Sequence, residues 1–233
     1  MNAPQFENAL IVGAGSGLSA SLARLLANEG FRLALAARST DDLAALAKET
    51  GAHVFACDAS ARASVERLFA DVDRALGSPQ VVIYNASARA RGPFIELDAG
   101  EVEKALAVTA FGGFLVAQQA ARRMVPKGHG AILFTGASAS VKGYPQSAPF
   151  AMGKFALRGL AQSMGRELAP LGIHVAHVVI DGGIRSGQRP DPPDRPDSLL
   201  DPDAIAPNYL HLIRQPRSAW TWEIELRPWV EKF

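Results

Sequence analysis

The feature that most constrains this chain is a glycine-rich turn near its N-terminus, Val12-Gly13-Ala14-Gly15-Ser16-Gly17-Leu18-Ser19-Ala20. An apolar run of strand length, 9–12, leads into it, and a stretch with helical spacing, 18–28, follows at once. Glycines there let the backbone turn tightly and approach a ligand closely. The helix behind them offers unpaired N–H groups and the positive end of its dipole to an anion. A lone glycine cluster is usually an ordinary turn. One set between the first buried strand and a helix meets the structural context of a dinucleotide-binding fingerprint.

The rest of the chain repeats that strand–helix rhythm. Short apolar runs at 32–36, 54–57, 81–84, 131–135 and 175–180 alternate with helical stretches at 41–48, 63–76, 101–124 and 151–168. Strands that are apolar throughout, joined by helices of crossover length, belong to a parallel sheet covered on both faces. The predicted fold class is therefore α/β, a doubly wound parallel sheet (Rossmann fold). The 233 residues, 48% of them hydrophobic, form one domain over 1–233, with 1–90 as its dinucleotide-binding half. The segment 185–202 is rich in Pro, Asp and Arg without apolar period and reads as a loop. Asp201-Pro202 then starts a helix running to about Arg214, so 185–214 is expected to be the substrate-loop and lid region, followed by a last strand at 221–226. No internal repeat is visible.

The balance of charge, 24 Lys and Arg against 23 Asp and Glu, gives no field to draw the chain to nucleic acid or an anionic membrane. A small-molecule partner is expected. The start MNAPQFEN carries neither a basic nor an apolar leader segment, and the single cysteine, Cys57, pairs with no other, which points to the cytoplasm. His174 and His177, at an odd offset along a strand, face opposite sides of the sheet, and no metal site is expected.

The second strand should end beside the ribose of a bound dinucleotide. It ends in Ala36-Ala37-Arg38-Ser39, without the carboxylate that would accept from a ribose 2′-hydroxyl. Arg38 suits a 2′-phosphate, so NADP(H) is preferred, with NAD(H) a possible second cofactor. The competing reading makes Arg38 a solvated loop residue.

From about residue 9 to 226 the pattern resembles the short-chain dehydrogenase/reductase family. Gly13 and Gly17 match two glycines of the family's Gly-x-x-x-Gly-x-Gly, with Ser19 at the third. Asp58 matches an aspartate near adenine, and Asn85-Ala86-Ser87 is similar to the family's Asn-Asn-Ala-Gly turn, with Tyr84 at the first asparagine. Ser138 follows the fifth strand and Lys154 opens a helix at the family's spacing. The resemblance implies cofactor contacts from Gly13, Gly15, Ser16, Gly17 and Leu18 in the turn, and from Arg38, Ser39, Asp58 and Ala59. It adds Asn85, Ala86 and Lys154, and then Asp181, Gly182 and Ile184, where Asp181-Gly182 replaces the family's Pro-Gly.

The resemblance also implies a catalytic unit: a Tyr that moves the proton, a Lys that lowers its pKa and binds ribose, a Ser that polarises the carbonyl, and an Asn that anchors a water. Here Phe150 stands at the tyrosine of Tyr-x-x-x-Lys and Thr109 at the asparagine, while Ser138 and Lys154 remain, with Ser140 as a competing serine. A phenyl ring gives no proton, and general acid help is worth ~10²–10⁴ in rate. Lys154 acting directly, Ser138 relaying from water and Tyr144 from the preceding loop are the alternatives.

The expected activity is NADP(H)-dependent hydride transfer between nicotinamide and a carbonyl or alcohol, with an altered proton donor. The alternatives are a catalytically impaired NADP(H)-binding sensor or scaffold, and a different chemistry on the same platform. Arg185, Arg189 and Arg195 in the loop permit an anionic substrate. Small residues on 105–122 and 151–168, among them Gly112, Gly113, Ala117, Ala120, Gly153, Ala156, Gly159 and Ser163, suggest helices meeting across a two-fold axis in a homodimer or homotetramer.

Overall fold

The computed structural model describes residues 6–231. Seven parallel strands form one sheet in the order β3-β2-β1-β4-β5-β6-β7: β1 Asn8–Val12, β2 Arg32–Ala37, β3 His53–Ala56, β4 Val81–Tyr84, β5 Gly130–Thr135, β6 Ile173–Ile180 and β7 Glu223–Leu226. The strands β1, β4, β5 and β6 are buried along their whole length. Successive side chains serve opposite faces. Ala9, Ile11, Leu33, Leu35, Val81 and Ile83 pack on one side, and Leu10, Val12, Ala34, Ala36, Val82 and Tyr84 on the other. A doubly covered parallel sheet requires this alternation of two apolar sets.

Helix α1 (Leu18–Asn28), α2 (Ala44–Thr50) and α7 (Pro202–Arg214) cover the first face. The second is covered by α3 (Arg62–Leu76), α5 (Gly112–Met124) and α6 (Ala148–Leu168), with α4 (Ala99–Leu106) packed against α6. The order of strands reverses between β1 and β4, and at such a switch point the carboxyl ends of the strands diverge into a crevice. Gly13 leaves β1 there and Asn85 leaves β4 there.

Five sequence expectations change. The helix expected over 101–124 is two helices joined by a π turn at Ala107–Phe111. A wider turn leaves carbonyls without their usual partner, and the buried Tyr84 hydroxyl donates to one of them, Val108 O. The helix expected from 151 begins at Ala148, because Pro149 lies in the first turn, where its missing N–H costs nothing. The strand expected at 54–57 is His53–Ala56, and the last strand starts at Glu223 rather than 221. The segment 185–214 divides in two. Residues 185–200 are loop, tied by the Ile184–Leu200 bridge. By contrast, α7, capped by Asp201 accepting from Asp203 N–H, packs on α1 and buries Ile205, Ala206, Tyr209, Leu212 and Ile213 in the core.

The small residues also serve a purpose other than the one expected for most of them. A Cβ at Gly112 would lie 2.5 Å from the Tyr84 hydroxyl, one at Gly113 2.5 Å from Leu157, and one at Gly153 2.9 Å from Thr109. Ala117 and Ala120 are core residues. These five let helices approach within the chain, while Ala156, Gly159 and Ser163 face outward. Among the described residues no helix is long and apolar enough to cross a membrane, and no group of His, Cys, Asp and Glu is placed to hold a metal. His174 lies against Trp220 on the α7 face, and His177 pairs with Glu223 on the other.

Candidate active site

Two cavities lie at the carboxyl ends of the strands and share Asn85 and Ser87 in their walls, so together they form one trough. The smaller, about 590 Å³, is bounded by Gly13, Ala14, Ala37, Arg38, Ser39, Asp58, Ala59, Ala86 and Val108. The larger, about 660 Å³, brings Asn85 together with Ser138, Phe150, Lys154, Asp181, Gly182 and Ile184.

The turn at the small end is fixed by contacts that only glycine allows. Gly13 has φ +87°, and a Cβ there would stand 2.3 Å from the backbone nitrogen of Ala86. The Gly13 and Ala14 N–H groups both donate to Ala36 O. Ser19, at the place of the third glycine, donates to Gly13 O at 3.0 Å and accepts from Asn85 Nδ2 at 2.6 Å. The hydroxyl thus ties the turn to the end of β4, a bond a glycine could not make. Gly15 and Gly17 have open space around them, and Gly17 caps α1. Ser16 sits in the same turn, whereas the Leu18 side chain is in the core, leaving only its backbone to face a ligand.

At the end of β2, Arg38 is exposed and no salt bridge within the described residues engages it. Asp58 accepts from both the N–H and the hydroxyl of Ser60, which with the Arg38 charge hold its carboxyl below the usual range. An exposed guanidinium and a turn of bare backbone suit the phosphates of a dinucleotide, and the Asp58 carboxylate suits the amino group of its adenine.

At the large end Lys154 is fully buried. Its Nζ donates to Thr135 O at 2.7 Å, and burial, reinforced by the Arg89 charge, pushes its pKa down to about 7. Phe150 lies on the same helix face one turn earlier, its ring centroid 5.8 Å from Lys154 Nζ. The Arg89 guanidinium covers that ring, with Cζ 4.0 Å from the centroid. Of the two serines, Ser138 lines the cavity. Ser140 is buried: its Oγ accepts from Ala137 N–H and contacts His177 Nε2 at 3.3 Å. Thr109 lines neither cavity. Its hydroxyl accepts from Ala88 N–H at 3.0 Å and lies 3.4 Å from Ala88 O, so it holds the loop after β4. Tyr144 is at the mouth, half exposed. Asp181 is buried and paired with Lys142 at 3.1 Å. Gly182, at φ +151°, could not carry a Cβ without meeting Pro228.

The profile for short chain dehydrogenases matches residues 7–189. The chain belongs to that family. A short-chain dehydrogenase/reductase of Armillaria gallica is 32% identical over 176 residues, 72% of this chain and 67% of the relative. The crystal structure of a short-chain dehydrogenase from Rhodopseudomonas palustris superposes with a TM-score of 0.82 at 35% identity, covering 97% of this chain and 100% of that one. A metagenomic short-chain oxidoreductase in complex with NADP gives 0.84 at 26% identity, covering 95% and 97%. Sequence reasoning missed Arg89 and Arg91, although their place two and four residues beyond Ser87 in the loop after β4 was a signal that they border the same trough.

Proposed function

We propose that the protein is an NADP(H)-dependent oxidoreductase acting on a carbonyl or alcohol, in which Lys154 stands in for the absent phenol. The observation that carries this reading is the buried Lys154 amine, which faces the cavity beside Phe150 and is poised near neutrality. A lysine serving only as a fixed positive charge needs no such desolvation, and an acid–base group works best with a pKa near the working pH.

When bound, the nicotinamide supplies or accepts the hydride. The Gly13 turn and the N-terminus of α1 hold the cofactor's phosphates. Arg38 engages a 2′-phosphate, which favours NADP(H) over NAD(H). That the metagenomic neighbour binds NADP supports the same choice. Ser138 donates to the substrate carbonyl oxygen. Lys154, as ammonium, gives a proton to that oxygen during reduction and, as amine, removes it during oxidation. Phe150 excludes water from the Lys154 amine and so keeps its pKa low. In the same reading the chain forms a homodimer or homotetramer through the outward Phe111, Phe114, Met152 and Phe155.

The test is a titration of the protein with NADPH and NADH, followed by panels of carbonyl compounds and alcohols read at the nicotinamide absorbance. NADPH binding with turnover supports the enzyme. NADPH binding with no turnover over a broad panel supports the sensor or scaffold instead.

A further inference from the structure

The larger cavity carries three guanidinium groups, Arg89, Arg91 and Arg189, on its wall. None of them forms a salt bridge among the described residues. They act on one another instead: partial burial of Arg89, which stays open to solvent, together with the charges of Arg91 and Arg189 holds its pKa below the ordinary arginine value. The carboxylates nearby do not relieve this. Asp181 is taken by Lys142 at 3.1 Å and approached by Arg227 at 3.9 Å. Glu231 borders the cavity but pairs with none of the three.

The loop 185–200 shows the contrast within a few residues. Arg185 lies outside the cavity wall and is held by Asp191 and Asp201. Arg189, on the wall, is left without an acid. Both ends of the cluster are nonetheless placed by packing. Arg89 lies on the Phe150 ring, and the Arg189 guanidinium sits so close to Gly183 that a Cβ there would be 2.4 Å from its Cζ. Like charges gathered without acids repel one another, and an oxyanion bound among them reverses that interaction through charge-assisted, bidentate hydrogen bonds. The cofactor's phosphates already have a separate seat, because Gly13 and Arg38 border the other cavity.

We infer that the larger cavity selects substrates in which the reacting carbonyl or alcohol is accompanied by a carboxylate or phosphate group, held by Arg89, Arg91 and Arg189. The inference rests on the reading of the trough as a nicotinamide-dependent site and adds the substrate class to it.

The test offers each carbonyl probe with and without its charge: acetoacetate against methyl acetoacetate, 2-oxobutanoate against its methyl ester, glyceraldehyde 3-phosphate against glyceraldehyde. Calorimetric titration is run with and without NADPH, so that binding is read even where turnover is slow. The charged member of at least one pair should bind roughly tenfold tighter or better, and the pair with the larger ratio tells carboxylate from phosphate. In Arg91→Gln/Arg189→Gln that advantage should shrink to about threefold or less, with NADPH affinity unchanged. Gly183→Ala, which displaces the Arg189 guanidinium without removing charge, should lower it in the same direction, and thermal melts check that the variants are folded. Equal affinities within every pair, or an advantage that survives the double variant, would overturn the inference. So would a double variant that loses NADPH in the same proportion, since the arginines would then serve the cofactor. Failure of NADPH to bind the wild type would instead refute the cofactor reading, while the titrations without NADPH still decide the anion site.

Discussion

At the β1–α1 end of the trough the backbone itself makes the site, and at the α6 end side chains make it. Gly13 is required because a Cβ meets the backbone of Ala86 at 2.3 Å, and Ser19 braces the turn through Asn85. Gly13 cannot change without losing the shape, whereas Gly15 and Gly17 have open space around them. At the other end, where the resemblance would set a tyrosine and an asparagine, Phe150 and Thr109 are held by side-chain contacts. Arg89 lies over the ring, Thr109 binds Ala88, and Lys154 sits in a site dry enough to bring its pKa to about 7. In the proposed reading the phosphates rest on a backbone turn in which Gly13 is fixed, whereas the proton donor is a side chain tuned by desolvation.

The sharpest way to break this contrast is at Lys154. Lys154→Met keeps the volume and removes the amine from that wall. Carbonyl reduction should fall by about 10²–10⁴ in kcat, measured by NADPH consumption. An unchanged rate would move the proton donor to another residue. Gly13→Ala attacks the opposite end. It forces a side chain into φ +87° and onto Ala86, so NADPH affinity should drop by roughly a hundredfold or more, with a lowered Tm from strain of about 1–3 kcal/mol. Binding near the wild-type level would show that the turn is not the phosphate seat.

Arg38→Ala is a finer probe of the same half. Loss of a guanidinium–phosphate contact should cost NADPH about 1.5–3 kcal/mol of affinity and leave NADH unchanged, as read by calorimetry. Equal wild-type affinities for the two cofactors would return Arg38 to a solvated loop role.

The sequence made the first half legible because its requirements are local. A strand, a glycine turn and a helix follow one another within twenty residues, and an arginine in place of an acid at the end of β2 is visible in the string. The rhythm implies a doubly wound parallel sheet but not which strands are neighbours; the order β3-β2-β1-β4-β5-β6-β7 is seen only in the fold. The second half depends on contacts far apart in sequence. The choice of Ser138 over Ser140 turns on His177, the role of Thr109 on Ala88, and the π turn on Tyr84 reaching Val108. Helical periodicity cannot show where a long amphipathic stretch widens by one residue. It also cannot tell a glycine that admits a neighbour within the chain, such as Gly153, from one facing a second copy. Asp181 is a cavity-wall acid whose charge Lys142 meets.

Phe150→Tyr separates the two readings of the altered end by a smaller effect. The new phenol would lie beside Lys154 on the same helix face and beneath Arg89, where both cations lower its pKa. Reduction should rise by about tenfold if the Lys154 route is slow. A flat or lower rate would mean that the wall around Phe150 is already arranged for another donor.

The most direct measurement of the central claim is the pH dependence of kcat/KM in both directions with the wild-type protein, which reports the essential groups of the free enzyme. Lys154 has its pKa lowered to about 7, so the ammonium predominates below that pH and the amine above it. Reduction, which needs the ammonium, should fall as pH rises through about 7, while oxidation, which needs the amine, should rise over the same interval, and Lys154→Met should lose both limbs. A reduction rate that stays level to well above pH 9, or limbs near 7 that persist in Lys154→Met, would contradict the assignment of the proton to Lys154.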